Sequence, residues 1–596
     1  MASADAAPAD SAAAEPVDRA AWLALAGCLL GLFMQMLDTT IVNIALPDLT
    51  TDLRASTSEQ LLVLSVYTLA FACTLLTAAT LGGRLGRRRV FVTAILAFTV
   101  TSVLCGVAQG PVELIVFRGA QGVSAALMSA QTLALIAALF PKTRHGLVFG
   151  IYGAVAGLAA MLGPVIGGVL VTSDVLGWGW RTIFFVNFPL GVIACGLAWR
   201  RLPQLRELPA PRLDLRGMAL STAGLFFLLY PLAVGREQGW PPRLWVMMGA
   251  STVLLVLFVV LERQLLARGG APLLRVDLFG SRRFTVGLSL SLLFFSVFAG
   301  FFFTVSISAQ FGLGYSPLRT GLLALPFAVG GVVGSVLSPA VVDRIGSART
   351  LCAGVLVLGT GLAWIGLTLQ PISGTMSIPA VIAPLVVGGI GTGLFVAPLQ
   401  TAILSDTSEA NIGSASGCVP TVQQIGASIG LAVVSLFFFG QVAAHAQSVV
   451  PTARAELVAE LQHTTVEPMF RGPMADRFAD CARDRLTSPH PDRPTPGCGG
   501  DASARSGMAA DLVDKAEGQL QVAGRSVAAR SFVGAFQTTL WVLAGMCAAI
   551  AVLTLGLGPR RGPVHHPEQQ TTPRHLGGDA GLSVGQQVRT GRPRSG

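Results

Sequence analysis

Fourteen long apolar runs, each near the length of a membrane-crossing helix, dominate this 596-residue chain. A helix needs roughly 20 apolar residues to cross ~30 Å of hydrocarbon. The runs fall near 21–46, 60–81, 90–109, 112–139, 146–171, 182–200 and 216–235. They continue near 244–262, 285–308, 319–340, 350–369, 377–405, 412–440 and 532–557. The expected fold class is an all-α polytopic membrane protein with 14 transmembrane spans.

Composition closes off the alternatives. Only 12% of residues are charged and 52% are hydrophobic, against about 25% charged in an ordinary soluble domain. So few charges cannot cover the surface of several soluble domains, which excludes a cytosolic enzyme, a disordered scaffold and a secreted disulfide protein. The net charge of +10 does not point to nucleic acid, because the basic residues sit in short clusters between apolar runs. One side carries Arg84, Arg87, Arg88, Arg89, Lys142, Arg144, Arg200, Arg201, Arg206, Arg212, Arg263, Arg268, Arg275, Arg282, Arg283, Arg344 and Arg349. The opposite short loops hold only Arg54, Arg181, Arg236, Arg243 and Arg319. Short-loop charge sets orientation, so both termini are expected in the cytoplasm. Lys142 and Lys515 are the only lysines among 41 basic residues. With the heavy Ala and Gly usage, that arginine bias fits a GC-rich bacterial genome and hence a bacterial cell membrane. The stretch 1–20 lacks the positive start of a signal peptide and reads as a disordered tail; a polar tail follows at 558–596.

One outside loop, 441–531, is long and polar, with amphipathic stretches at 453–462 and 509–522. Cys481 and Cys498 both fall in it, on the oxidising face, whereas the other seven cysteines lie in apolar runs as small hydrophobes. A Cys481–Cys498 disulfide would contribute ~3 kcal/mol in the chain-entropy picture; two free thiols are the alternative.

The loop after the second run reads Gly83-Arg84-Leu85-Gly86-Arg87-Arg88-Arg89, and the loop after the tenth reads Asp343-Arg344-Ile345-Gly346-Ser347-Ala348-Arg349. Arg84, Gly86 and Arg89 align with Arg344, Gly346 and Arg349. The repeat divides the chain into a six-helix half at 21–200, two inserted spans with their linkers at 201–284, and a second half at 285–557 that contains the outer loop. Two repeated halves around a midplane site is a transporter plan.

Asp38 reads as the lone carboxylate deep inside a span, and an intramembrane acid is a functional hypothesis by default. Gln35, Asp38, Thr39 and Asn43 follow helical spacing and form one polar stripe. Arg118 is the expected partner. The first run ends eight residues beyond Asp38 and the fourth begins six residues before Arg118, so at 1.5 Å per residue both lie roughly 10 Å below the outer surface. Further polar residues in apolar runs, Gln121, Gln310 and Gln400, join Gln35 and Asn43 as candidate cavity residues. Gly389-Ile390-Gly391-Thr392-Gly393 brushes against dinucleotide patterns without the strand–helix setting they need, so it reads as helix packing. The seven histidines show no metal-ligand spacing and no phosphate-binding loop is present. No metal, no cofactor and no ATP are expected; burial raises a carboxyl pKa, so Asp38 is expected to take up and release protons, with a proton gradient as the energy source.

Several motifs resemble the fourteen-span drug:proton antiporters of the major facilitator superfamily. Leu37-Asp38-Thr39-Thr40-Ile41-Val42-Asn43-Ile44-Ala45-Leu46-Pro47 is similar to that branch's first-span signature, and Gly83–Arg89 to the superfamily's loop motif. Arg118-Gly119-Ala120-Gln121-Gly122 resembles its fourth-span motif. Gly153 and Gly157, then Gly163-Pro164-Val165-Ile166-Gly167-Gly168, resemble its fifth-span antiporter motif, and Trp180–Pro189 is a further family-like stretch. The resemblance covers most of 20–440 and 532–557. It implies that Asp38 and Arg118 couple protons, that Arg84, Gly86, Arg87, Arg88, Asp343, Arg344 and Gly346 form conformational loops, and that Gly153, Gly157, Gly163, Pro164, Gly167 and Gly168 seal and bend the fifth span. The family's loop aspartate is replaced by Gly83, which puts a latch in the first half in doubt.

The leading expectation is a proton-coupled antiporter that exports hydrophobic small molecules such as antibiotics by alternating access, acting as a monomer and not as an enzyme. Uptake, or lipid or metabolite transport, on the same scaffold is the alternative. A membrane receptor or scaffold working through the outer loop is a third reading.

Overall fold

The computed structural model describes residues 19–557 except 56, 175–176, 205–213, 237, 271, 405–411, 465 and 488–507. The two tails and Cys498 lie outside the described residues. The N-terminal half comprises α1 (Arg19–Asp52), α2 (Thr57–Leu85), α3 (Arg87–Val107), α4 (Pro111–Leu139), α5 (His145–Thr172), the short α6 (Thr182–Phe185) and α7 (Asn187–Arg201). The inserted pair is α8 (Leu215–Val234) and α9 (Pro242–Ala267). The C-terminal half comprises α10 (Arg282–Ile307), α11 (Pro317–Ile345), α12 (Ser347–Thr368), α13 (Ile378–Leu404), α14 (Ile412–Leu461), α15 (Pro468–Thr487) and α16 (Met508–Thr554). Fourteen helical segments are long and apolar enough to cross a membrane, and no strand occurs among the described residues.

Local chemistry sets the helix starts. Pro111, Pro242 and Pro317 open α4, α9 and α11, where the missing N–H costs nothing. Asp214 and Ser316 cap α8 and α11 by accepting hydrogen bonds from Gly217 N at 2.9 Å and Arg319 N at 3.3 Å. The internal repeat is visible in the backbone. Gly86 (φ 89°) and Gly346 (φ 85°) each stand between consecutive helices, a conformation that only glycine adopts cheaply.

The halves meet where α5 packs on α11 and α2 on α14. The inserted pair packs outside them, with Thr222 Oγ1 donating to Cys73 O at 3.2 Å. Trp245, Val246, Val253 and Val256 of α9 are all more than half exposed. Such a surface would be a liability in water and is what lipid requires.

The long outer loop is a correction. α14 runs unbroken for 50 residues and α16 for 47, about 75 Å and 70 Å at 1.5 Å per residue, far beyond the hydrocarbon. With α15 they make a helical layer beyond the bundle, the expected outer side, packed through Leu457, Leu461, Val466 and Ala475. Ion pairs Arg454–Asp476 (2.5 Å) and Arg530–Glu456 (3.0 Å) tie it together, and Cys481 on α15 is disulfide-bonded. Between this layer and the bundle lies a cavity of about 1290 Å³ whose walls include Arg236, Phe311, Phe439, Arg485 and Arg525.

The sixth span, expected at 182–200, runs from Gly179 to Arg201, starting with a 3-10 turn over Gly179–Arg181 and passing through α6 into α7 with Val186 in helical conformation between them. An outer clamp holds its entrance: Asp52, beyond the membrane-spanning part of α1, accepts from Arg181 Nη1 (2.6 Å) and Trp180 Nε1 (3.0 Å). The Arg181 bond, then the Trp180 bond, hold the Asp52 carboxyl below its usual range.

Candidate functional site

The expected pair forms. Arg118 on α4 donates from Nη1 to Asp38 Oδ2 on α1 at 2.5 Å, with side chains 2% and 0% exposed. A charge pair this deep persists only when its remaining valences are filled. Gln121, one turn on from Arg118, fills two of them. Its Nε2 donates to Asp38 Oδ1 at 2.8 Å, and its Oε1 accepts from Arg118 Nη1 at 2.8 Å. Asn187, at the start of α7, donates to Asp38 Oδ1 at 3.3 Å and to Ser102 Oγ at 3.0 Å. Ser102 in turn donates to Phe184 O at 2.9 Å. The Arg118 guanidinium lies 4.3 Å from the centre of the Tyr67 ring, a cation–π contact strengthened by the absence of water.

The arrangement is a carboxylate held by two neutral amides and one permanent cation, contributed by α1, α4 and α7, with Tyr67 from α2 over the cation. Three polar atoms of this region have no partner: Arg118 Nε, Asn187 Oδ1 and Gln35 Oε1. The cluster is therefore not saturated, and a rearranged set of bonds is available to it.

The other expected residues fare unequally. Gln121 belongs to the cluster, and Gln35 lies beside it, its backbone oxygen accepting from Tyr67 Oη at 3.4 Å. Asn43 is exposed and its amide bonds only Thr40 O at 3.4 Å, so the polar stripe splits into a buried part and an exposed part. Gln310 sits in a π turn after α10 and donates to Ser306 Oγ at 2.8 Å. Gln400 is buried in α13 with an unpartnered Oε1. Neither shares a hydrogen bond with the Asp38 cluster.

Of the fifth-span glycines, Gly163 and Gly167 lie against Thr40 and Ile41 of α1, where a Cβ would overlap. That places α5 directly against the turn after Asp38. Pro164 packs on Gly321 of α11 (2.9 Å to the position of a Gly321 Cβ), and Gly168 has ordinary contact with Leu318. Gly153 has only ordinary contact and Gly157 faces open space. The close approach of this part of α5 to α11 is made instead by Gly150, where a Cβ would stand 2.8 Å from Ser335 O. Spacing along a helix does not fix which glycine points at the neighbour.

In the loop motifs, Arg87 Nη1 donates to Ala134 O at 3.3 Å and Arg88 to Trp199 O, tying the α2–α3 turn to α4 and α7. Arg84 is exposed, Gly83 has nothing within 4 Å of where a Cβ would stand, and Asp343 and Arg344 are exposed. Neither copy forms an aspartate latch in this conformation.

Sequence reasoning gave no role to Asn187, Ser102 and Tyr67, which complete the cluster. A lone amide in an apolar run was the available signal for Asn187. It also passed over the phenylalanines of α10: Phe294 stacks on Phe395 of α13 at 4.5 Å, and Phe298 and Phe302 pack on Phe327 of α11 at 6.4 and 5.3 Å. A second buried acid, Glu262 of α9, was missed as well. The apolar window ended at that residue, whereas the helix continues to Ala267.

Comparison with known proteins agrees with this architecture. The chain is 35% identical over 558 residues to the probable actinorhodin transporter of Streptomyces coelicolor, covering 93% of this chain and 94% of that one. It is 32% identical over 472 residues to Multidrug resistance protein Stp of Mycobacterium tuberculosis, covering 79% and 83%. The crystal structure of the human organic anion transporter MFSD10 shares the fold with a TM-score of 0.51 at 17% identity, over 70% of this chain and 94% of that one. The family model of the Major Facilitator Superfamily matches residues 28–431, and the chain belongs to that family of membrane transporters.

Proposed function

We propose that this transporter exports hydrophobic small molecules in exchange for protons, with Asp38 as the proton carrier and Arg118 as its counter-charge. The observation that carries the reading is the sealed Asp38–Arg118 pair with unused hydrogen-bonding capacity around it. Burial favours a protonated carboxyl, whereas an adjacent cation favours the carboxylate. Moving α1 relative to α4 changes that balance. When an outward opening admits water, a proton added at Asp38 Oδ2 turns an acceptor into a donor that faces Arg118 Nη1. The pair must then part, and Arg118 keeps Gln121 Oε1 as its acceptor. When the site opens inward and the pair re-forms, the proton leaves to the cytoplasm. One substrate movement outward completes the exchange. The aromatic surface of α10 and the name of the Streptomyces relative favour hydrophobic, ring-bearing cargo. In this reading the protein sits in the bacterial cell membrane with both termini cytoplasmic and works as a monomer without a cofactor.

The test is ethidium efflux from energised cells. Wild type is expected to extrude the dye, and either a protonophore or Asp38→Asn at matched membrane level to reduce efflux to background. Efflux by Asp38→Asn at the wild-type rate would remove the coupling assignment.

A further inference from the structure

Glu262 and Asp214 form a second acid site remote from Asp38, at the end of the bundle where α8 begins and α9 finishes. Glu262 is 0% exposed. Its Oε2 accepts from Leu274 N at 3.0 Å, while its Oε1 has no partner. Asp214 uses Oδ1 to cap α8 through Gly217 N, while its Oδ2 is buried without a partner. The two unpartnered oxygens point at the same place: a Cβ built on Gly217 would overlap both Glu262 Oε1 and Asp214 Oδ2. The absence of a side chain at Gly217 lets the two carboxyls converge there. Ionised carboxylates can only accept hydrogen bonds, so two of them facing each other repel and leave two buried acceptors unsatisfied. A single proton between them makes one group a donor and satisfies both oxygens at once.

We propose that Asp214 and Glu262 are a proton-binding site, holding one shared proton on the face of the bundle opposite the outer helical layer. Among the described residues no cation takes the proton's place. Arg216, Arg263 and Arg268 are exposed, and Arg275 is paired with Asp277 at 2.7 Å. On α2, which packs on α8, the basic residue is Arg84, at its end and exposed; α14, which also packs on α8, carries no charged residue between Ile412 and Gly440.

The site bears on the fold beyond its own two residues. The Leu274 N–H that binds Glu262 belongs to the linker between α9 and α10. The next residue, Arg275, donates its N–H to Ser414 Oγ of α14 at 2.9 Å. The shared proton therefore holds together the start of α8, the end of α9 and the linker that reaches the second half. Its loss sets two like charges against each other at the root of the inserted pair. The site stands independently of the coupling role given to Asp38.

The experiment is infrared difference spectroscopy of the full chain in lipid nanodiscs, following the C=O stretch of protonated carboxyls as pH is raised, with thermal unfolding over the same range. Wild type is expected to show a protonated-carboxyl band at neutral pH that disappears at alkaline pH, with the unfolding midpoint falling alongside it. The band should persist in Asp38→Asn and vanish in both Glu262→Gln and Asp214→Asn. Glu262→Gln brings a permanent N–H donor to the same place, so it should fold normally, with an unfolding midpoint flat across that pH window. No band in wild type, a band unchanged in Glu262→Gln, or a Glu262→Gln midpoint that follows pH as wild type does would each overturn the assignment.

Discussion

Asp38→Asn is expected to destabilise the folded protein more than Arg118→Gln does, although each removes one member of the same ion pair. Breaking a buried pair costs about 3–5 kcal/mol, because it strands the other charge. The two stranded charges have different escapes. A carboxyl left without its cation takes up a proton and becomes neutral, and Gln121 and Asn187 still reach Asp38 Oδ1. A guanidinium cannot give up its proton in a protein, so after Asp38→Asn a permanent charge stays sealed, with Gln121 Oε1 and the Tyr67 ring as its remaining contacts. The double variant Asp38→Asn/Arg118→Gln removes both charges and should recover most of the loss. Unfolding midpoints of the three purified variants, followed by tryptophan fluorescence, check the order. Equal losses for the two single changes, or a double variant whose loss is the sum of both, would contradict a mutually dependent pair.

A second large effect lies far from any charge. Gly389 and Gly393 of α13 lie against the backbone of Phe327 and Gly331 on α11, and Gly391 against Leu358 and Gly354 on α12, each too closely for a Cβ. Small residues at membrane helix contacts permit this approach, and packing replaces the hydrophobic effect as the attractive force. Gly389→Val is expected to abolish the folded protein in membranes, because the obstacle is the neighbour's main chain, which cannot rotate away as a side chain does; the cost exceeds the ~1–3 kcal/mol of ordinary overpacking. Gly157→Ala, where nothing stands within 4 Å, should stay within about 0.5 kcal/mol of wild type, as surface changes do. Monodisperse yield from solubilised membranes separates the two. A normal yield of Gly389→Val would mean that α11 and α13 are not packed as described.

The spans were legible because hydrocarbon thickness imposes a length that no other constraint blurs. Asp38 and Arg118 were legible for a related reason: a charge inside an apolar run has so few acceptable partners that depth alone nearly pairs them. The neutral members were harder to see. Serine, asparagine and tyrosine are tolerated singly in membrane helices, so Ser102, Asn187 and Tyr67 carried little signal until the packing of α7 on α1 and α3 brought them together. Of the layer at 441–531 only two amphipathic stretches, 453–462 and 509–522, were legible, because the ruler for spans stops at the edge of the hydrocarbon while α14 and α16 do not. Glu262 escaped because it stands at the last position of its apolar run, 244–262, where an acid reads as the polar edge, whereas the helix continues to Ala267. The fifth-span glycines show the limit of spacing: the motif located a close helix contact, and the contact was made by Gly150, Gly163 and Gly167 but not by Gly157.

The central claim is that the proton travels on Asp38. Proteoliposomes containing the purified protein separate coupling from substrate movement when two fluxes of ethidium are compared. One is accumulation driven by an imposed pH gradient, and the other is exchange of ethidium across a membrane with equal pH on both sides. Wild type should perform both. Asp38→Asn, and the charge-free Asp38→Asn/Arg118→Gln that controls for a sealed lone cation, should lose gradient-driven accumulation while equal-pH exchange continues. Gradient-driven accumulation by the charge-free variant at the wild-type level would place the proton elsewhere in the protein.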